Sequence, residues 1–266
     1  MISKQDYLKA NKALWNQRVA AHLNSDFYDN ESFMQGRNSL NKIELDLLGD
    51  VSDQSIIHLQ CHFGQDTLSL ARMGAKVTGV DLSDKAIATA RDLNTQLGLD
   101  ATFIEYDVLS FDQVHNQTYD TVFASYGVIG WHPDIVQWAS VVSHLLKPGG
   151  RLVFAEFHPV IWMLDEEFQT IKYNYYNDGA IIDTVTNSYV DGSELDHPMN
   201  EYGWNHSLGE VFNALQAAGL QVTNFNEYNY SPYNCFSRCV PCDDGYYIEG
   251  YEGKVPLVYS LVARKN

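Results

Sequence analysis

The chain has 266 residues, 45% of them hydrophobic, enough for one large domain, or one domain with an insertion, around a filled core. Thirty-four acidic residues against seventeen basic ones leave a formal charge of −17. No Lys/Arg cluster offers the basic patch that nucleic acid or an anionic membrane surface would need as main partner. No apolar run reaches the length of a membrane span. The opening Met1-Ile2-Ser3-Lys4-Gln5-Asp6-Tyr7 lacks the apolar stretch of a secretory signal. Of the four cysteines, Cys61 stands alone and Cys235, Cys239 and Cys242 are late and clustered, which suits a reducing compartment better than a disulfide scaffold. A cytoplasmic protein is expected.

In chain order, residues 5–22 read as a helix with Leu8, Leu14, Trp15, Val19 and His22 roughly on one face. A polar segment follows over 24–31, then a second helix over 39–48. Together, residues 1–50 are expected to form a helical cap. Strands over 55–60, 76–81, 101–106, 119–124 and 150–157 then alternate with helices over 65–73, 83–97 and 134–146. The last helix stops at Lys147-Pro148-Gly149-Gly150. Such alternation implies a parallel sheet with helices on both faces, an α/β fold. Residues 165–203 break the rhythm. Short strands over 171–175 and 181–185 flank Asn177-Asp178-Gly179, a hairpin turn signal, so this stretch is expected to be a β insertion covering one end of the sheet. A helix over 207–218 and strands near 220–228 and 255–263 close the core, which is assigned to 51–164 and 204–266. Residues 229–254, rich in Tyr, Gly and Cys, read as a long loop.

The most telling stretch is Ile56-Ile57-His58-Leu59-Gln60-Cys61-His62-Phe63-Gly64-Gln65-Asp66-Thr67-Leu68, a buried strand, a tight loop and a helix start. A second strand then ends on Asp81. Ligands of open α/β sheets bind beyond the carboxyl ends of the strands, and an acid closing the second strand can accept hydrogen bonds from a ribose. Asp81 could instead cap the helix beginning near Ser83. A dinucleotide fingerprint needs G-x-G-x-x-G, but Gln60 and His62 largely take the glycine positions and only Gly64 survives. The loop is a poor pyrophosphate cradle, so a nucleoside cofactor without phosphates fits better than a nicotinamide or flavin dinucleotide.

This loop, with Asp81, Asp107 and Leu146-Lys147-Pro148-Gly149-Gly150, resembles the class I S-adenosylmethionine-dependent methyltransferases. More narrowly, the chain is similar to a bacterial subgroup carrying Leu-Gln-Cys-His-Phe-Gly-x-Asp-Thr-Leu-Ser as its first motif. The resemblance extends over nearly the whole chain. It includes Trp15, His22, Ser25, Phe27-Tyr28-Asp29, Ser125-Tyr126-Gly127-Val128, Glu156-Phe157-His158-Pro159 and Trp204-Asn205-His206-Ser207-Leu208-Gly209-Glu210. His58 stands where the wider superfamily has an acid, and Cys235, Cys239 and Cys242 lie outside the pattern. The resemblance implies a Rossmann-like sheet of seven mostly parallel strands with the last antiparallel. It also implies a cofactor site. Backbone at Gln60, Cys61 and Gly64, with His62 in the loop, would approach the methionine moiety and ribose. Asp81 with Leu82 would hold the ribose, Asp107 and Val108 the adenine, and Ser125 and Tyr126 would border the sulfonium. S-adenosylmethionine would be the donor and S-adenosylhomocysteine the product.

Methyl transfer is an in-line displacement in which an enzyme aligns the reactants and excludes water. Aromatic faces suit a sulfonium better than fixed anions, and Tyr126, Trp131 and Tyr28 are candidates, each equally readable as packing. A hydroxyl acceptor would call for a base. Among His22, His132, His158 and His206, His158 is best placed, just past the fifth strand, although Glu156-x-His158-Pro159 could only shape the loop. Tyr126 is the second catalytic candidate. The expected substrate pocket comprises Trp15, His22, Tyr28, Trp131, His158 and Trp204. Twelve of the seventeen tyrosines follow residue 165 and could line it or pack strands. Cys239-Val240-Pro241-Cys242 with Cys235 invites a zinc site, but no second C-x-x-C and no later histidine completes it, so no metal is expected. The function expected is methyl transfer to a small-molecule acceptor through O, N or S, with a homodimer as the candidate assembly. A non-catalytic adenosylmethionine-binding protein and a nucleotide-cofactor oxidoreductase remain as alternatives.

Overall fold

Strand β1 (Ser55–Leu59) is a short apolar run, with Ile56, Ile57, His58 and Leu59 all buried. Burial on both faces is what a central parallel strand requires. β1 pairs in parallel with β2 (Lys76–Asp81) on one side and β4 (Tyr119–Ser125) on the other. The chain therefore builds outward to β2 and β3 (Thr102–Glu105), then returns across β1 to β4 and β5 (Leu146–Phe157). The described structure, a computed structural model, covers residues 3–188, 190, 192 and 194–266. Met1, Ile2, Tyr189, Asp191 and Ser193, which belong to the expected cap and insertion, lie outside the described residues.

Numbering strands in chain order through β6 (Ile181–Asn187), β7 (Glu194–Gly203), β8 (Leu220–Tyr228), β9 (Cys239–Cys242), β10 (Gly245–Ile248) and β11 (Val258–Lys265), the main sheet runs β3-β2-β1-β4-β5-β11-β8. Only β11 is antiparallel to its neighbours, so the sheet has the seven-stranded, mostly parallel form that was expected. Side chains alternate between two buried layers. Ile57, Val122, Phe154 and Leu261 pack on one face, and Ile56, Phe123, Val153 and Val262 on the other.

The helices are α1 (Lys4–Leu23), α2 (Asn30–Met34), α3 (Lys42–Leu48), α4 (Gln65–Arg72), α5 (Asp84–Leu97), α6 (Ile135–Leu145) and α7 (Leu208–Ala217). Trp138 and Leu145 of α6 and Leu215 of α7 fill the first layer. Leu48 of α3 and Leu70 of α4 fill the second, while Ile87 and Leu93 of α5 pack with Phe63 and Phe103. Local chemistry sets the ends. Ser83 caps α5 by accepting from the Ala86 N–H, and Gly98 closes it at φ +62°. Ser207 and Glu210 form a capping box on α7.

Three expectations are corrected. Residues 171–175 form no strand, only an isolated bridge between Leu164 and Ile171. Instead β6 pairs with β7, which begins after the sequence's turn signal. Asn177-Asp178-Gly179 turns only locally, with the Gly179 N–H donating to Asn177 Oδ1 at 3.3 Å. The reason is tertiary. Asn11 of α1 binds the Tyr202 carbonyl at 2.9 Å and its N–H at 3.0 Å, and Arg18 pairs with Glu201 at 2.8 Å, so α1 anchors β7. The loop 229–254 holds the β9–β10 hairpin, turned at Asp243-Asp244 ahead of Gly245. Finally, α6 ends at Leu145, where the stop signal put it, but β5 opens at Leu146 rather than at 150, with Lys147-Pro148-Gly149-Gly150 as an irregular start and a register shift against β4.

The turn from β1 into α4 is packed against β3 and α5. Gly64 caps α4 at φ +83°, and a Cβ there would lie 2.7 Å from Phe103 Cε1 and 3.0 Å from Ala90 Cβ. Gly64→Ala therefore combines left-handed strain with a clash against a rigid ring. It is expected to cost about 2–4 kcal/mol in urea unfolding, and a loss below about 0.5 kcal/mol would contradict this packing.

Candidate functional site

The chain order reverses between β1 and β4, and a cavity of about 1030 Å³ opens there, beyond the carboxyl ends of the strands. Every cofactor residue expected from the sequence lines it: Gln60, Cys61, His62, Gly64, Asp81, Leu82, Asp107, Val108, Ser125 and Tyr126. Trp15, Tyr28, Trp131 and Trp204 of the expected substrate pocket line it too. His22 and His158 do not, although the sequence placed both there.

The loop after β1 is built on left-handed backbone at Gln60 (φ +56°), His62 (φ +51°) and Gly64 (φ +83°). Two of the three are not glycine, and each such residue costs about 1–3 kcal/mol unless its surroundings hold it. The surroundings do so. The His62 N–H donates to Asp81 Oδ2 at 2.8 Å. The Gln60 amide donates to the Val128 carbonyl at 2.7 Å and accepts from His132 Nε2 at 2.9 Å. His62 Nε2 lies 2.9 Å from His22 Nδ1, so His22 sits behind the loop rather than on the cavity wall. His22 also stacks on Tyr28, and Trp15 meets His62 and Trp131 edge to face. Burial holds His62 well below the ordinary imidazole range, with His22 and Arg18 adding to the effect, and holds His132 down to about 4. These rings are neutral hydrogen-bonding and packing groups at physiological pH.

Asp81 ends β2. Its Oδ1 takes the Ser83 N–H at 2.8 Å and its Oδ2 the His62 N–H, with the Leu82 N–H also directed at the carboxylate, and these three donors do not fill its four acceptor sites. Ser83, not Asp81, caps α5. Burial pushes the Asp81 carboxyl up, and its backbone donors work against that. Asp107 is differently committed. It caps the turn over 108–113 through the Leu109 N–H at 3.1 Å and the Ser110 hydroxyl at 2.9 Å, and it pairs with Lys4 at 2.8 Å. Asp107 thus caps a turn while remaining on the cavity wall.

His158 is turned away from the cavity. Its Nδ1 accepts the Val160 N–H at 3.2 Å, which leaves Nε2–H to donate to Glu227 of β8 at 3.0 Å. Both ring nitrogens are engaged and burial lowers the imidazole, despite Glu227. Glu156 lines the cavity, whereas His158, past the end of β5, is held at the β8 side by Glu227. His206 donates through Nε2 to the His132 carbonyl at 2.8 Å, in a positioning contact.

Sequence reasoning missed three acids. Glu156, buried at the end of β5, accepts the N–H groups of Gly127, Val128, Ile129 and Phe157, and so fixes the loop that carries Tyr126 and Trp131. Asp66, in the first turn of α4, takes the Ser39 hydroxyl at 2.6 Å and that of Ser125, and burial raises its carboxyl. Glu44 on α3 is fully buried. It accepts the Tyr126 hydroxyl at 2.9 Å, and burial pushes it up to about 7, with Asp66 adding to the rise. Its one sequence signal is the capping box Asn41-x-x-Glu44. Tyr126 sits at φ +46° between Glu44 and Tyr233. Among the described residues no group of three or more His, Cys, Asp or Glu is arranged to hold a metal, and Cys239 and Cys242, three apart on β9, face opposite sides of that strand. Among the described residues no helix is long and apolar enough to cross a membrane.

Residues 56–150 match the family model described as a methyltransferase domain. The ubiquinone biosynthesis O-methyltransferase of Serratia proteamaculans is 28% identical over 135 residues, 49% of this chain and 56% of that protein. The chain thus spans little more than half of that relative's length. The Photorhabdus laumondii protein of the same name is 27% identical over 205 residues, covering 72% and 81%. Among solved structures, a putative S-adenosylmethionine-dependent methyltransferase from Listeria monocytogenes superposes with a TM-score of 0.59 at 18% identity, over 84% of this chain and 95% of that one. The fold is that of the Rossmann-like methyltransferases.

Because the native state keeps Glu44 protonated up to about pH 7 while an unfolded glutamate ionises near its ordinary value of 4.5, the unfolded state binds fewer protons in that window. Glu44 is therefore expected to favour folding below pH 4.5 and to lose that contribution as pH rises to 7. Glu44→Gln keeps the capping and Tyr126 contacts. Its stability relative to the parent should rise between pH 5 and 7.5 in urea titrations, by about 2–3 kcal/mol. An unchanged difference across that window would contradict the buried carboxyl.

Proposed function

We propose that the chain transfers a methyl group from S-adenosylmethionine to a small-molecule acceptor, leaving S-adenosylhomocysteine. The observation that carries this reading is the left-handed loop 60–64 closed onto Asp81 at the rim of a large switch-point cavity. The residues suit a phosphate-free nucleoside. Asp81 keeps acceptor capacity for ribose hydroxyls, whereas a pyrophosphate would meet no lysine, since among the described residues none lines the cavity. The match of residues 56–150 to a methyltransferase domain and the O-methyltransferase names of the relatives point the same way.

S-adenosylmethionine supplies the methyl electrophile. Asp81 with Leu82 would hold the ribose, Tyr106 and Val108 would flank the adenine, and Asp107 would reach its amine with the lone pairs left by the turn and Lys4. Asp66 and Arg37, both on the wall, would face the ammonium and carboxylate of the methionine end. Tyr28, Trp131 and Tyr126 give aromatic faces to the cationic region. Residues 126–131, fixed by Glu156, align the acceptor and exclude water. With His158 directed elsewhere, Tyr126 is the group placed to take a proton. Above about pH 7, where Glu44 is ionised, an acceptor O–H would pass its proton to Tyr126 Oη as the phenolic proton moves to Glu44 Oε2. S-adenosylmethionine would supply the methyl carbon to the acceptor oxygen, with the carbon–sulfur electron pair leaving on sulfur.

Calorimetry with adenosylhomocysteine tests the site. Saturable binding is expected, and Asp81→Asn, with the fold verified by circular dichroism, should weaken it by about 1–3 kcal/mol. Unchanged affinity would remove Asp81 from the site. For a hydroxyl acceptor, Tyr126→Phe should lower turnover about 100-fold or more with adenosylhomocysteine affinity preserved, whereas full turnover would exclude the phenol as proton acceptor.

A further inference from the structure

The cavity continues past the cofactor loop along one aromatic wall. Tyr126, beside the end of β4, packs on Phe157 at 5.5 Å. Phe157 meets Phe236 at 5.1 Å and Trp162 at 5.7 Å. Phe168 closes on Phe236 at 5.7 Å, and Trp162 reaches solvent with 41% of its surface exposed. All five side chains line the cavity, so the aromatic faces run continuously from the reaction end to the mouth. This surface suits a flat ring, which stacks along it edge to face.

The charges around the wall have one sign. Eight Asp or Glu residues and two arginines line the whole cavity. Both arginines lie away from the aromatic chamber, Arg18 paired with Glu201 and Arg37 donating to the Tyr28 and Asp29 carbonyls. The chamber itself is bordered by Asp165, Glu166 and Asp183. Asp183 accepts the Tyr173 hydroxyl at 3.0 Å, and among the described residues its ion-pair partner is the exposed Lys172 at 4.0 Å, which lies over the Tyr173 ring and outside the cavity lining. Three carboxylates beside the exposed Trp162 face attract a cation through both the net field and the ring quadrupole, and they repel an anion. The overall charge of −17 acts in the same direction.

We infer that the acceptor is an aromatic amine, a ring carrying a protonated amino group on a short tail, with the ring along Phe157, Phe236 and Trp162 and the ammonium toward Asp183 and Glu166. This rests on the methyl-transfer reading and names the acceptor class for the same cavity. It also assigns Asp183, Glu166 and Trp162 to specificity: they bind and discriminate without touching the reacting methyl group.

The test uses the full chain at pH 7 with adenosylhomocysteine present, and three probes sharing one ring: tyramine, p-cresol and 3-(4-hydroxyphenyl)propionate. Binding is read by calorimetry and by quenching of tryptophan fluorescence. Tyramine should bind about tenfold tighter than the propionate, with p-cresol between them. Asp183→Asn combined with Glu166→Gln should bring tyramine down to the p-cresol level and leave adenosylhomocysteine affinity unchanged. The propionate binding as tightly as tyramine would overturn the charge assignment. Adenosylhomocysteine binding with all three probes silent would overturn the aromatic assignment while leaving the methyl-donor site standing. Failure of adenosylhomocysteine itself to bind would instead overturn the methyl-transfer reading and this inference with it.

Discussion

The 2.8 Å hydrogen bond from the His62 N–H to Asp81 Oδ2 ties the end of β1 to the end of β2. It carries the strained loop on which the cavity depends. Without it, left-handed backbone at Gln60 and His62 would relax, and the wall between the two strand ends would lose its shape. The bond also orients the carboxylate, which keeps acceptor capacity on the cavity wall. Glycines usually serve such a turn because they enter the left-handed region freely. Here Gln60 and His62 enter it by anchoring their side chains to Val128, His132 and His22. The loop thereby becomes continuous with the residues that follow β4.

A second anchor mirrors the first. Glu156 gathers the N–H groups of Gly127, Val128 and Ile129, so the segment after β4 is held as firmly as the segment after β1. Buried carboxylates are costly unless hydrogen-bonded, and four backbone donors satisfy this one. The Gln60–Val128 contact joins the two loops. Tyr126 stands at their junction with Glu44 behind it, a phenol and a carboxyl held in contact by three separate segments of chain.

The sheet was legible because its signals are local. Ile56-Ile57-His58-Leu59 is an apolar run too short for a helix, and Asp81 closes the next run. Every side chain that the motifs placed around the cofactor lines one cavity. What escaped depends on tertiary partners. Asn177-Asp178-Gly179 is good turn chemistry, but the partner of β6 is chosen by α1, whose Asn11 holds Tyr202 from 191 residues away. His158 sits beyond the right strand, yet its ring is held by the Val160 N–H and by Glu227, contacts the sequence does not show. Glu44 reads as a helix cap because its contact with Tyr126 spans 82 residues. The β9–β10 hairpin was within reach of sequence, since Asp244-Gly245 is a turn signal.

The central claim is that the loop 60–64 and Asp81 hold an adenosyl group in this cavity. Diffraction from crystals grown with adenosylhomocysteine tests it most directly. The account predicts density with ribose hydroxyls hydrogen-bonded to Asp81, the adenine beside Leu82 and Val108, and the sulfur near Tyr126. Density for the nucleoside elsewhere on the molecule, or Asp81 still bound only to the loop and Ser83 with the ligand out of reach, would contradict it.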